Sequence, residues 1–193
     1  VTWFVDDPRT IIMGRTHFAT THSIAFTWER AYAPHLQAIG FPVVRTLPLA
    51  VDDSLFNVPP AEIDNGSVSF VGTSMALVAE ETWAWLVQRP VLASALTQAF
   101  RTGKVTRERF AQGLEDILPD CLANLDPDER RQAELYCFVE GTRRVRQALV
   151  DALAPEGIVV YGGTDWRALA RTLHPPVAYG AELASVYRAS AIN

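Results

Sequence analysis

Val68-Ser69-Phe70-Val71-Gly72-Thr73 is a short apolar run closed by a glycine and a hydroxyl. Two other runs share its character: Thr2-Trp3-Phe4-Val5-Asp6-Asp7-Pro8 and Leu47-Pro48-Leu49-Ala50-Val51-Asp52. Each is rich in β-branched or aromatic residues, is bounded by turn residues, and reads as a buried strand. The 68–73 run ends on a glycine and a threonine, the 2–8 run on an acidic pair. Both endings suit ligand contact, because open α/β sheets bind ligands outside the carboxyl ends of their strands.

Working outward, residues 2–6 read as a first strand, 23–27 as a second, 29–39 as a helix ended by Gly40, and 43–47 as a third strand. Strand and helix alternate over short connections, which predicts parallel βαβ construction. Residues 52–66 are polar and broken by Pro59-Pro60 and Asn65-Gly66, and read as a linker. A second α/β unit starts at 67–71. A long helical stretch follows, from about 76 to 154, in three parts. Gly103 closes the first. Thr106 caps the second, with Phe110, Leu114 and Ile117 on one face. Asp126-Pro127-Asp128-Glu129 opens the third, with a cap, a proline in the first turn and acids at the positive end of the helix dipole. Pro155 and Gly157 end it. Residues 158–161 read as a strand running into Gly162-Gly163, residues 166–172 as a short helix, and residues 180–190 as another. The predicted organisation is an α/β fold in two Rossmann-like halves: 1–51, a linker at 52–66, and 67–193 with the helical stretch inserted.

The 193 residues suffice for one domain or two small ones, and 49% hydrophobic against 20% charged residues is ordinary globular composition. A net charge of −5 argues against a nucleic-acid partner or an anionic membrane surface. Lys104 is the single lysine, so the basic groups are arginines. Cys121 and Cys137 form no CxxC pair and no secretory signal is present, which reads as a reducing, cytoplasmic setting. No apolar run reaches the roughly 20 residues of a membrane helix. The chain starts at Val1 and stops at Ala191-Ile192-Asn193, where a strand is beginning; it reads as an internal piece of a larger protein.

A family resemblance rests on several of these segments together. Trp3-Phe4-Val5-Asp6-Asp7-Pro8-Arg9, then Ala25-Phe26-Thr27-Trp28 with Ala31-Tyr32, Gly40, the 47–52 run and Ser69-Phe70-Val71-Gly72-Thr73 resemble the CgeB-type (spore maturation protein-like) glycosyltransferases. Tyr161-Gly162-Gly163-Thr164-Asp165-Trp166 and Tyr187-Arg188-Ala189-Ser190-Ala191-Ile192-Asn193 are similar to later segments of that family. The resemblance leaves out the helical stretch. It implies a GT-B fold, in which two Rossmann-like domains face each other, one holding a nucleotide-sugar donor and the other a sugar or other hydroxyl acceptor. It implies catalysis without a metal or other cofactor. The family's acidic, ribose-contacting segment and its glycine-rich phosphate turn would fall beyond Asn193, so the piece is expected to be inactive alone.

Within this frame Gly72 and Thr73 are candidates for approach to a donor diphosphate at a strand-to-helix turn, and Gly162 and Gly163, with Tyr161, for the border of the nucleotide. The alternative is that these glycines serve only tight turns. Asp6 and Asp7 are candidates to orient or deprotonate an acceptor hydroxyl; the alternative is a capped turn with Pro8 at its corner. The four histidines, His17, His22, His35 and His174, show no metal-ligand spacing, and His22 is a weak candidate base. Walker A, Gly-x-Gly-x-x-Gly and nucleophile-elbow patterns are absent. Two rival readings remain. One is a non-catalytic nucleotide- or protein-binding module of the same fold, with Arg143, Arg144 and Arg146 as partner surface rather than a solvated helix face. The other is a response-regulator receiver built on Asp6, Asp7, Asp52, Thr82 and Lys104. It is disfavoured because Thr82 falls in helical sequence and Lys104 between helices.

Overall fold

The computed structural model describes residues 1–12, 19–50, 52–57, 67–105 and 118–190. The expected helix at Thr106 with Phe110, Leu114 and Ile117, the breakers Pro59-Pro60 and Asn65-Gly66, and the strand start at 191–193 lie outside those residues. The chain is α/β. Among the described residues there are two separate three-stranded sheets, all parallel, each in sequential strand order. The chain divides into two compact units, residues 1–50 with 81–141 and residues 51–80 with 142–193.

The first unit contains β1 (Thr2–Phe4), α1 (Pro8–Ile12), β2 (Ile24–Thr27), α2 (Ala33–Ala38) and β3 (Val43–Thr46). Phe4, Ile12, Ala25, Leu36 and Phe41 form its sheet core, with Phe4 and Phe41 edge-to-face at 5.9 Å. The order β1-β2-β3 follows the alternation read from sequence. The 47–52 run differs from expectation. Its described residues, 47–50 and 52, add no strand after Thr46, and Leu47 and Leu49 are exposed. Pro48 has no N–H for a ladder, so the strand stops before it.

Among the described residues this unit also holds the end of α4 (Ala76–Leu86), α5 (Pro90–Arg101), α6 (Pro119–Leu122) and the first half of α7 (Pro127–Leu153). Leu92, Leu96, Ala99 and Phe100 recur at helical spacing on α5 and are buried with Leu86, Leu122, Ala133, Tyr136 and Cys137. Gly103 ends α5 at φ +67°, a left-handed conformation that glycine adopts without a Cβ clash; Lys104 N–H then reaches back to Ala99 O at 2.8 Å. Asp126 caps α7 as its sequence predicts. Its Oδ1 accepts from Asp128 N at 2.9 Å and Glu129 N at 2.8 Å. Glu129 also accepts from Arg89 Nε at 2.9 Å, and the Arg89 guanidinium lies 4.0 Å from the Trp85 ring centre.

The second unit contains α3 (Asp53–Phe56), β4 (Ser69–Val71), the start of α4, the second half of α7, β5 (Val159–Tyr161), β6 (Thr172–His174) and α8 (Ala181–Ala189). Val150, Ile158, Val160 and Trp166 are its core, packed by Val68, Phe70, Leu153, Leu169 and Leu173. Two expectations change here. The linker carries a helical turn, α3, because Asp52 accepts from Ser54 N at 3.0 Å and caps it. Residues 166–172 are not one helix: a single 3-10 turn spans Thr164–Trp166, and Thr172 already belongs to β6. A three-residue edge strand is too short for its alternation to show in sequence.

Candidate functional site

The second unit concentrates the candidates at the carboxyl end of its sheet. Parallel pairing sets Val71 beside Tyr161 and Tyr161 beside His174. The turns that leave β4 and β5, residues 72–75 and 162–165, therefore lie next to each other. Gly72, Thr73, Tyr161, Gly162 and Gly163 are brought together, as the usual adjacency of parallel strands in such units leads one to expect. The Tyr161 and His174 rings stack, with centres 5.0 Å apart and planes at 29°.

The two turns are tightly knitted. Gly72 N–H donates to Tyr161 O at 3.0 Å, and Gly162 N–H to His174 O at 3.1 Å, so both glycines extend the sheet ladder by one residue. Trp166, fully buried, donates its Nε1–H to Gly72 O at 2.7 Å. A Cβ on Gly162 would lie 2.5 Å from Gly72 O and 2.5 Å from Trp166 Cδ1. Gly162 is thus required by close packing between the loops. Gly72 has φ +153°, which disfavours any side chain, and Met75 sits in the left-handed region at φ +68°. Two unusual backbone conformations within four residues turn the chain sharply from β4 into α4.

Three polar side chains define the rest of the site. The Ser74 hydroxyl, almost fully buried, donates to Asp165 Oδ2 at 2.5 Å, and Ser74 N–H donates to the same oxygen at 2.8 Å. Ser74 Oγ also accepts from Ala76 N–H at 3.1 Å at the start of α4. Arg146 Nη1 donates to Thr73 O at 2.7 Å and contacts Thr73 Oγ1 at 3.0 Å. Burial lowers the pKa of Arg146, and the nearby Asp165 charge opposes that shift. The Thr73 side chain is exposed. The result is one guanidinium, one carboxylate and the Thr73 hydroxyl, which also donates to Met75 Sδ at 3.3 Å, around a strand-to-helix turn.

The sequence does not single out Asp165 or Ser74, and it reads Arg146 with Arg143 and Arg144 as a partner surface or a solvated helix face, not as part of this turn. Arg146 had a readable signal: it lies four residues before buried Val150, on the inward face of α7, where a solvated arginine does not belong. Asp165 had none beyond its place after Gly162-Gly163. Arg143 instead bonds Gln147 along its own helix at 2.9 Å.

Asp6 and Asp7 lie in the first unit, between β1 and α1. Asp6 is exposed and Asp7 is buried at the residue before Pro8, the first residue of α1. The position of Asp7 suits a helix start, and Asp6 is the more accessible carboxylate. Thr82 lies inside α4 and Lys104 in the turn after α5, the placements that set the receiver reading aside. Among the described residues, no cluster of three or more His, Cys, Asp or Glu side chains could hold a metal ion, and no helix is long and apolar enough to cross a membrane. No protein-family model matches the chain, and neither does any curated protein or solved structure.

Proposed function

We propose that this chain is part of a glycosyltransferase with two Rossmann-like halves, and that its second unit binds the nucleotide-sugar donor at the adjoining 72–75 and 162–165 turns. In this reading the donor's diphosphate approaches Thr73 and the Arg146 guanidinium, and the nucleotide borders Tyr161. Asp6, with Asp7, orients the hydroxyl acceptor from the first unit. The chemistry needs no metal, and the setting is reducing and cytoplasmic. The observation that carries the proposal is the juxtaposition of two strand-to-turn loops at the carboxyl ends of adjacent parallel strands, which is where open α/β sheets take their ligands. Thr73, an exposed residue whose Oγ1 donates to Met75 Sδ at 3.3 Å and accepts from Arg146 Nη1 at 3.0 Å, and the arginine itself are hydrogen-bonding groups an anion could recruit by exchange.

Gly72 is unsuited to test this, because its positive φ makes any side chain there strain the backbone whether or not a ligand binds. Thr73→Asp is better. It places a carboxylate beside Arg146 at an exposed position and keeps the turn. Ligand-observed NMR with uridine and guanosine diphosphate should show binding to the wild type, with a preference for one nucleotide. The Thr73→Asp variant should lose at least about tenfold in affinity, the order expected from one added like charge near a diphosphate. Equal binding by both proteins would remove this turn from the donor site.

A further inference from the structure

The sheet of the first unit is covered on one face. Phe4, Ala25 and Thr27 are buried on that side, where Ile12 of α1 and Leu36 of α2 pack. The parallel register sets Trp3, Phe26 and Arg45 in one row on the opposite face, with Ile24 and Val43 paired two residues earlier on β2 and β3. Trp3, Val43 and Arg45 are exposed there, and Ile24 and Phe26 are half-buried. A parallel sheet takes helices on both faces, so among the described residues this face lacks a layer. The helix α4 has the complementary property. Apart from Glu80, Glu81 and Thr82 its eleven residues are apolar, a composition that belongs to a helix covered on every side. It buries Ala79, Thr82 and Leu86 along one stripe and leaves Leu77, Val78, Glu80 and Glu81 exposed.

Covering the open sheet face takes the Arg45 guanidinium out of water, which is unfavourable unless a carboxylate meets it. Arg45, Glu80 and Glu81 have no ion-pair partner among the described residues. The sheet face is thus apolar with one positive charge, and the exposed side of α4 is apolar with two negative ones. We propose that this face docks a second copy of the chain, whose α4 lies on the open strands with Leu77 against the apolar residues and Glu80 and Glu81 facing Arg45. Each copy carries both the sheet face and the helix, so two such contacts close into a twofold dimer. The α4 of one copy supplies the helical layer that β1, β2 and β3 of the other lack, and the sheet supplies the cover that an apolar helix requires. The dimer stands independently of the donor-site reading.

The test is sedimentation equilibrium of the chain over a concentration series, with folding checked by circular dichroism. Four proteins are compared: wild type, Arg45→Glu, the pair Glu80→Arg with Glu81→Arg, and all three substitutions together. The three positions are exposed, so reversing their charges leaves the core of each unit alone. Wild type should form a dimer. Each partial reversal should weaken it at least about tenfold, the scale of like charges set opposite each other in an interface. The full reversal should restore most of the loss, because it rebuilds the pair with the signs exchanged. A wild type that stays monomeric up to its solubility overturns the proposal and leaves the face to a different partner. A dimer indifferent to both partial reversals overturns it too, since the contact then lies elsewhere. Partial reversals that dissociate the dimer, with no recovery in the full reversal, overturn the pairing of Arg45 with α4. If the reversals do not fold, Leu77→Asp on the exposed side of α4 takes their place: it should dissociate the dimer, and an unchanged dimer overturns the proposal.

Discussion

Gly162 has neighbours at distances no side chain tolerates. An added Cβ would meet a carbonyl oxygen and the Trp166 ring at 2.5 Å, and both are held by the Trp166–Gly72 hydrogen bond. Neither is the loose end of a flexible side chain, so the loops themselves would have to part. Gly162→Ala should therefore cost about 1–3 kcal/mol, the range for overpacking a well-packed site. Urea denaturation followed by tryptophan fluorescence would measure it, and a midpoint unchanged within error would mean that the loops pack less closely than described. The sequence offered two readings of Gly162-Gly163, ligand approach or tight turn, and the contact at Gly162 belongs to the second. Its partner Trp166 was visible in sequence as an aromatic but not as the donor to Gly72. The two residues are 94 apart in the chain, and only the pairing of β4 with β5 brings them together.

Elements were legible where the chain carries its own punctuation. Gly103 and Asp126 mark helix ends by local chemistry, a left-handed stop and a side-chain cap, and both act where they were read. The 47–52 run misled because its apolar content was weighed above Pro48. The strand β6 stayed hidden because Leu173 is its one inward-packing apolar residue. In α7 the exception to good helix sequence is Gly141, at the middle of 27 residues. A Cβ there would meet only Phe100 Cε1 at 4.0 Å, an ordinary contact, and its φ is not positive. Glycine gives the unfolded chain more freedom than alanine, so Gly141→Ala should stabilise the protein by about 0.5–1 kcal/mol. A shift of the urea midpoint upward at constant slope would bear this out; a downward shift would show that the helix needs the glycine for approach to Phe100.

For the whole molecule, the alternation of short apolar runs with helices was enough to foresee two parallel sheets, because each sheet is built from consecutive strands. Composition could not foresee which buried groups couple the fold to pH. Cys137 is such a group: it lies on α7 within the helical core, 1% exposed. Burial foremost, and then the Glu134 and Glu140 carboxylates, raise its thiol pKa far above the ordinary 9.0. In the unfolded chain the same thiol ionises near that ordinary value. Below about pH 9 both states hold the proton and the group leaves stability unchanged. Above it the unfolded state releases a proton that the folded state keeps, so unfolding is favoured as pH rises. The slope approaches 1.4 kcal/mol per pH unit for one group until the folded pKa is reached. Every other group is common to wild type and a Cys137 variant, so the informative quantity is a difference. Cys137→Ala should lower stability at pH 7.5 through lost packing, then lose less than wild type with each step to pH 9.5 and 10.5. The gap between the two proteins should close by about 1 kcal/mol or more over that interval. Urea melts at the three pH values would measure it, and a gap constant with pH would show that the thiol ionises in the folded protein as readily as in the unfolded one.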